Sequence, residues 1–486
     1  MNLSSVVAMT TVPASSSGSI EELSGSVEEQ LTVLKQNVND VFLLTNGIIV
    51  ALMQAGFACL ESGSIHSKNV TNILLKNFLD MFICCIFYWG IGYSLAYSHG
   101  TPYFGYENMG GIGIQGDQMA HWFFQFIFAA TAATILSGAV AERCNFIAYI
   151  VYSAVISGVT YPIVSRWVWA DEGWLNRLGY SDFAGSGAVH LFAGTCSFVA
   201  AYLMGPRIGR FGNGRYSTPP PGHSLPLVGV GALLLVVGFL AFNGGSLGHM
   251  TSPGDGALIA SVMSNTVMGG AGGSIGILIA SRLGLCGRPC WNFAFTVNAG
   301  LMGMVSVCAG ANAFSMWSSL VIGLIAGPLY VALRYFVIMC GVDDPLDASA
   351  VHFGGGLWGV VSAPLFRRGG LVYGINDQSV SGLIHNLTGA GSIFLWSFVT
   401  SFALFGFLYL INMLRVPSTQ EIEGLDITKH NEIAYPPSAW NNVHSKHSQA
   451  NDHIMIDILN HNREPRIKGA APNEYDNHAM DGTLRL

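Results

Sequence analysis

A bilayer core takes roughly 20 mostly apolar residues per helix. Runs of that kind lie near 41–60, 72–98, 119–141, 146–169, 186–205, 225–247, 257–281, 291–313, 317–339, 349–366 and 389–414. Eleven helices are therefore predicted, with ten as the alternative count because the 349–366 run is short and glycine-rich. Residues 1–39 have no basic leader and no sustained apolar run, and read as a polar, acidic amino-terminal arm rather than a signal peptide. The expectation is an all-α polytopic membrane protein in three parts. These are an external arm over 1–39, a transmembrane domain over 40–414 and a cytoplasmic regulatory tail over 415–486, largely disordered after about 445.

Composition agrees. Of 486 residues, 51% are hydrophobic and only 10% charged, against about 25% charged in soluble domains. From Val41 to Leu414 there are thirteen acids and thirteen bases, and no lysine falls between Lys76 and Lys429. The net charge of −7 thus belongs to the two ends. A neutral, charge-poor middle excludes a soluble enzyme, a nucleic-acid binder and a disordered chain. Most of its charges are expected at loops and span ends, while the helix interior keeps two histidines and, near its outer edge, Asp182. Lys68, Arg143, Arg207, Arg210, Arg215, Arg282, Arg288, Arg334 and Arg415 fall on one side, and only Arg166, Arg177, Arg367 and Arg368 on the other. The richer side is cytoplasmic by the positive-inside rule. With an odd span count, the amino terminus is outside and the tail inside. Sequons at Asn2 and Asn386 would then be external and that at Asn69 internal. Cys59, Cys84, Cys85, Cys196 and Cys308 sit in apolar runs as small hydrophobes. Cys286 and Cys290 flank a turn with no histidine nearby, so no metal or cofactor is expected.

Two segments about 160 residues apart echo one another. Asp182-Phe-Ala-Gly-Ser-Gly-Ala-Val-His190 ends in Ala-Val-His eight residues after an aspartate, and Asp344-Pro-Leu-Asp-Ala-Ser-Ala-Val-His352 does the same. Each opens a span followed by small residues: Ala193, Gly194 and Ser197 in one, Gly355, Gly356, Gly359 and Ala363 in the other. One span enters from outside and the other from inside. Such a pair is what an inverted repeat of five plus five helices with one extra helix leaves behind, with the substrate path at the repeat interface. A lone histidine at a helix start is more often structural, but two at matched positions in charge-poor helices favour function. Neutral imidazole donates through one nitrogen and accepts through the other, and a low dielectric suppresses its charged form. A bore lined this way suits a small, nearly uncharged solute or a cation able to shed a proton. Ammonia and ammonium meet that description.

The chain resembles the ammonium transporter family (Amt/Mep/Rh) over about 40–440, and within it the Amt branch of plants and invertebrates. The first echo segment, running on to Tyr-Leu-Met-Gly-Pro-Arg207, resembles the family signature, and Asp343 to His352 its second-half counterpart. The resemblance implies that His190 and His352 are twin pore histidines. It implies further that Phe128 and Phe242 are the stacked pair closing the outer mouth, and that Trp169 and Ser246 belong to an external recruitment site. Phe124 is a third wall of that site, and Asp182, Asp344 and Asp347 take structural and electrostatic roles. A homotrimer with one pore per subunit at the plasma membrane is implied as well. A tryptophan face attracts a cation by roughly 0.5–2 kcal/mol and a serine hydroxyl accepts an N–H, which would concentrate ammonium, or methylammonium as its analogue. Potassium would be refused at the histidines because it has no proton to lose.

From Arg415, the tail resembles the family's tail start, with Gly424 and Asp426 in a Glu-Gly-Leu-Asp turn. Thr428 stands at a position phosphorylated in plant relatives, where added charge beside Asp426 would undock the segment. Two rivals remain: an Rh-type neutral gas channel, which would lack the cation site, and an ammonium receptor, which would be expected to carry an output module. Enzyme motifs are missing from the sequence.

Overall fold

The computed structural model describes residues 14–211 and 220–436. The chain divides into two units, Met1–Ala434 and Tyr435–Leu486, and every described helix belongs to the first. Asn2, Arg215 and the tail expected to be disordered lie outside the described residues.

Eleven helical runs of ten residues or more succeed one another among the described residues. They are α1 (Ala14–Ser64), α2 (Val70–Phe87, prolonged by a π-turn to Tyr97), α3 (Met119–Ala139), and α4 (Phe146–Val155, continued through a π-turn to Trp169). Next come α5 (Phe192–Met204), α6 (Leu225–Gly245), α7 (Asp255–Arg282), α8 (Phe293–Val307), α9 (Met316–Met339), α10 (Gly354–Phe366) and α11 (Asp377–Leu410). Two short tail helices come last, α12 (Ser418–Glu423) and α13 (Leu425–His430). Ten of the runs are long and apolar enough to cross a bilayer. The exception is the 349–366 run, where π-turn Ser349–Phe353 and α10 together make a short helix rich in glycine.

Local chemistry sets the starts. The Asn145 side chain accepts from the Ile147 N–H at the head of α4, Asn292 does so from Phe295 at α8, and Ser224 opens α6 ahead of Pro226. Such caps satisfy backbone donors that the helix leaves unpaired. At α11 a reciprocal box between Asn376 and Ser379 starts the helix twelve residues before the predicted 389. Helix α1 likewise begins at Ala14, inside the region read as a polar arm. Gly25 does not interrupt it, and Glu28, Glu29, Gln30 and Leu31 are good helix formers.

Helices in a membrane gain little from apolar contact alone and associate by close packing of small residues. A Cβ on Gly323 of α9 would lie 2.1 Å from the Gly269 carbonyl of α7, and one on Gly231 of α6 would lie 2.4 Å from the Leu60 nitrogen of α1. Glycines at such crossings thus set the interhelical distances.

Some charge nonetheless lies inside the helices, away from the loops and span ends expected to hold most of it. Glu61 on α1 and Lys76 and Asp80 on α2 are buried within the helices. They are tolerated because each has polar neighbours: Asn77 and Ser137 for Glu61, Thr134 for Asp80, and the Cys144 carbonyl for Lys76.

Candidate conduction pore

Both histidines of the sequence echo sit on π-turns that open a helix: His190 on Ser186–Leu191, ahead of α5, and His352 on Ser349–Phe353, ahead of α10. A π-turn inserts one residue into the helical ladder and is frequent at functional positions. An aspartate holds each turn by its free N–H groups. Asp182 accepts from Gly185, Gly187 and Ala188 at 2.8–3.0 Å, and Asp344 from Leu346 and Ser349 at 3.3 and 2.7 Å. Burial pushes both carboxyls, which lie outside the spans, up to about 6.

The close approach of the two turns is reciprocal. Gly194 lies four residues after His190, and a Cβ there would lie 2.0 Å from the Phe353 nitrogen. Gly356 lies four residues after His352, and a Cβ there would lie 2.4 Å from the Leu191 nitrogen. Each helix therefore presses a bare backbone against the other's histidine turn, as a two-fold relation between the halves requires. His190 and His352 end 3.1 Å apart, Nδ1 to Nδ1, with their rings 17° from parallel. One Nδ1 must donate and the other accept, so the two rings hold complementary tautomers. His190 Nε2 is buried without a partner.

Aromatic rings continue the file. Phe242 lies 5.7 Å from His190, centroid to centroid, and Phe128 stacks on Phe242 at 4.0 Å and 12°. Beyond them Trp169 meets Phe128 edge to face at 6.0 Å and Phe124 lies 4.9 Å from Phe128. The Trp169 Nε1–H donates to the Asp182 carbonyl, which fixes the indole. Ser246 donates to the Phe242 carbonyl and keeps its lone pairs for another donor. Phe239, not singled out from the sequence, stacks on His190 at 5.6 Å. Its place three residues before Phe242 on α6 was the available signal.

Past His352 the file reaches a cavity of about 30 Å³ walled by Phe57, Leu235, Phe239, Leu301 and Glu61, among others. Leu60, Asn298 and Leu346 line both this cavity and a wider one of about 360 Å³ that contains Arg207, Arg210, Arg334, Asp343, Asp344 and Asp347. Asp347 thus lies apart from the file, accepting from Tyr330 and Arg334. Arg207 bridges Glu142 and Asp343, tying the ends of α3 and α5 to the loop before His352. Burial alone would raise both acids, but His66 and Arg207 around Glu142, and Arg207 beside Asp343, hold the carboxyls below their usual range.

The tail residues form a separate group at this end. Lys68 donates to the Glu421 and Ile422 carbonyls, Leu425 N–H to Asn69 Oδ1, and Asn72 N–H to buried Asp426. Gly424 adopts φ 113°, which a side chain would oppose. Thr428 donates within its own turn to the Gly424 carbonyl. Of the sequons, Asn69 donates its buried amide to Glu142, and Asn386 donates to the Ser181 and Val360 carbonyls.

The Ammonium Transporter Family profile matches residues 41–435. A Caenorhabditis elegans protein whose name places it among the ammonium transporters is 41% identical over 88% of this chain and 85% of its own length. The ammonium transporter Amt2 of Archaeoglobus fulgidus is 35% identical over 83% of this chain and 90% of its own. Among solved structures, a sensor Amt protein superposes with a TM-score of 0.77 at 31% identity, covering 82% of this chain and all of the other. These relatives are transport-family proteins and not enzymes. With that match and this fold, the chain belongs to the ammonium transporter family.

Proposed function

We propose that this protein recruits ammonium between Trp169, Ser246 and Phe124 and admits it past the Phe128–Phe242 pair. Ammonia then passes along His190 and His352. The observation that carries this reading is the unbroken file from Trp169 through two stacked rings to two histidines 3.1 Å apart. A cation reaching Trp169 meets an aromatic face and the Ser246 lone pairs, both attractive. Directly beyond the rings come neutral imidazoles, which donate and accept hydrogen bonds but give a metal cation no replacement for its water shell. Ammonium can go on by leaving its proton; potassium cannot.

The Trp169 end faces outward in this reading, and the arginine-rich end with the docked tail is cytoplasmic. The amino terminus is then outside, the 349–366 run completes an eleventh crossing, and the protein works as a homotrimer in the plasma membrane. Residues 40–414 are the conducting domain and 415–434 the regulatory start of the tail, with Gly424, Asp426 and Thr428 at its docked turn. Methylammonium serves as a tracer for the same path.

The test is uptake and current in oocytes. His190→Ala and His352→Ala are expected to abolish ammonium flux or to admit potassium. Both variants keeping wild-type rate and selectivity would sink the assignment. A solved relative is titled a sensor; absence of both current and tracer uptake in the wild type would favour a receptor.

A further inference from the structure

Glu61, Lys76 and Asp80 take no part in the file of rings, yet all three are buried in the membrane domain. An isolated charge there is costly, and a set of them is tolerated when it is neutral and hydrogen-bonded. With Lys76 charged, the trio is neutral only when one proton resides on the two carboxyls. Hydrogen counting gives that proton a place on either carboxyl: the Thr134 hydroxyl, with its one hydrogen, contacts both Asp80 Oδ2 and the Ala130 carbonyl, and Ser137 stands in the same relation to Glu61. The Ser137 hydroxyl has one hydrogen, but its oxygen contacts both Glu61 Oε1 and the Thr134 carbonyl, the latter at 2.8 Å. Both contacts are hydrogen bonds when Ser137 donates to Thr134 and accepts from a protonated Glu61. Asn77 donates to the other carboxyl oxygen at 2.8 Å, and its own Oδ1 is buried without a partner.

Glu61 also reaches the path. It lines the cavity of about 30 Å³ whose wall includes His352, a space suited to one small polar molecule. Gly138 lines the same cavity, and a Cβ there would lie 3.5 Å from Glu61 Oε1. Asp80 does not line it. The charged or titratable groups facing Glu61 are Lys76 and Asp80 on α2 and His352 across the cavity.

We propose that Glu61 is a proton-exchanging residue of the inner pore, handing its proton to ammonia as it leaves the histidine pair. The inference rests on the pore assignment made under the proposed function. In the step, the carboxyl O–H bond breaks and an N–H bond forms on the ammonia lone pair, leaving ammonium beside a carboxylate. Ammonium moves on into the wider cavity, which shares Leu60, Asn298 and Leu346 with the smaller one. A hydronium ion of the cytosolic water filling that cavity then returns a proton to Glu61. The sum is one ammonia from the pore and one cytosolic proton giving one ammonium.

The test uses the full chain in oocytes, with surface abundance quantified, methylammonium uptake and ammonium current recorded, and the cytosol acidified by a permeant weak acid. Glu61→Gln preserves size and the contacts to Ser137 and Asn77 but has no exchangeable acid. It is expected to slow uptake by roughly tenfold to a hundredfold and to lose the acceleration that cytosolic acidification gives the wild type, with Glu61→Asp restoring part of both. Wild-type uptake and wild-type response to cytosolic pH in Glu61→Gln would overturn the proposal. Should that variant fail to reach the surface, Glu61→Asp decides alone. A slowed rate with a displaced pH response supports the role, and an unchanged rate and response refutes it. A wild type without uptake or current would instead defeat the pore assignment itself.

Discussion

Gly194→Ala adds one methyl group to the protein, and the structure says where it must go. The new Cβ would lie 2.0 Å from the Phe353 nitrogen, 2.6 Å from the Phe353 Cα and 2.7 Å from the His352 carbonyl carbon. All three are backbone atoms of the histidine turn, so no side chain can swing aside. Ordinary contact begins near 3.4 Å, which leaves the turn about 1.4 Å too close. Overpacking of this kind costs about 1–3 kcal/mol. The larger effect is on geometry. His190 and His352 are 3.1 Å apart, and a retreat of the His352 turn by even half the required distance would break their hydrogen bond. Displacements of about 1 Å can cost on the order of a hundredfold in rate where geometry governs a reaction.

Methylammonium uptake, normalised to surface protein, and Tm in detergent read the two effects separately. Gly194→Ala should lose most uptake with a modest fall in Tm. Gly356→Ala, whose Cβ would lie 2.4 Å from the Leu191 nitrogen, should reproduce the loss from the other half of the repeat. Gly256→Ala, with nothing within 4 Å, should change neither quantity. Wild-type uptake in Gly194→Ala at normal surface abundance would refute the idea that this backbone approach sets the histidine pair.

Further outcomes are expected from the surroundings of the pore. Asp182, pushed up to about 6 by burial, loses its negative charge as external pH falls through that value; ammonium affinity should drop between pH 7 and 5 in oocyte currents and be flat with pH in Asp182→Asn. Glu142 and Asp343 are held below the usual carboxylate range, so the stability they confer is full at neutral pH and is lost only as pH falls through those lowered values. Melting in detergent should therefore be flat down to about pH 4 and fall below it. Arg207→Ala, which removes the guanidinium shared by two buried carboxylates, should cost about 3–5 kcal/mol and move the acid limb toward neutral, read from the same melts. Thr428→Asp places a charge two residues from buried Asp426, whose carboxyl burial already raises. The tail should release, seen as faster limited proteolysis after Arg415, with transport reduced several-fold at unchanged surface abundance; wild-type uptake and digestion would exclude a docking role.

How far the sequence foretold this arrangement depends on the range over which each feature is encoded. Spans were legible because an apolar run of bilayer length is a local property, and the 349–366 run was ambiguous for the same reason, being short. The echo from Asp182 to His190 and from Asp344 to His352 was legible because both copies kept the same spacing. Even the glycines four residues beyond each histidine stood in plain view, but their partner, the opposite turn's backbone, belongs to no local pattern. Start points were misread where polarity was taken for absence of helix: α1 runs back to Ala14 and α11 to Asp377, since a polar helix outside the apolar core needs only caps and good helix formers. The buried trio was hidden more deeply. Glu61, Lys76 and Asp80 each stand near the end of an apolar run or inside one, where a rule based on average hydropathy assigns charge to the rim. Their burial is decided by Ser137, Thr134 and the Cys144 carbonyl, about 55 to 75 positions away along the chain. A solitary carboxylate in such a run does point to function, but only the fold shows that this one opens beside His352.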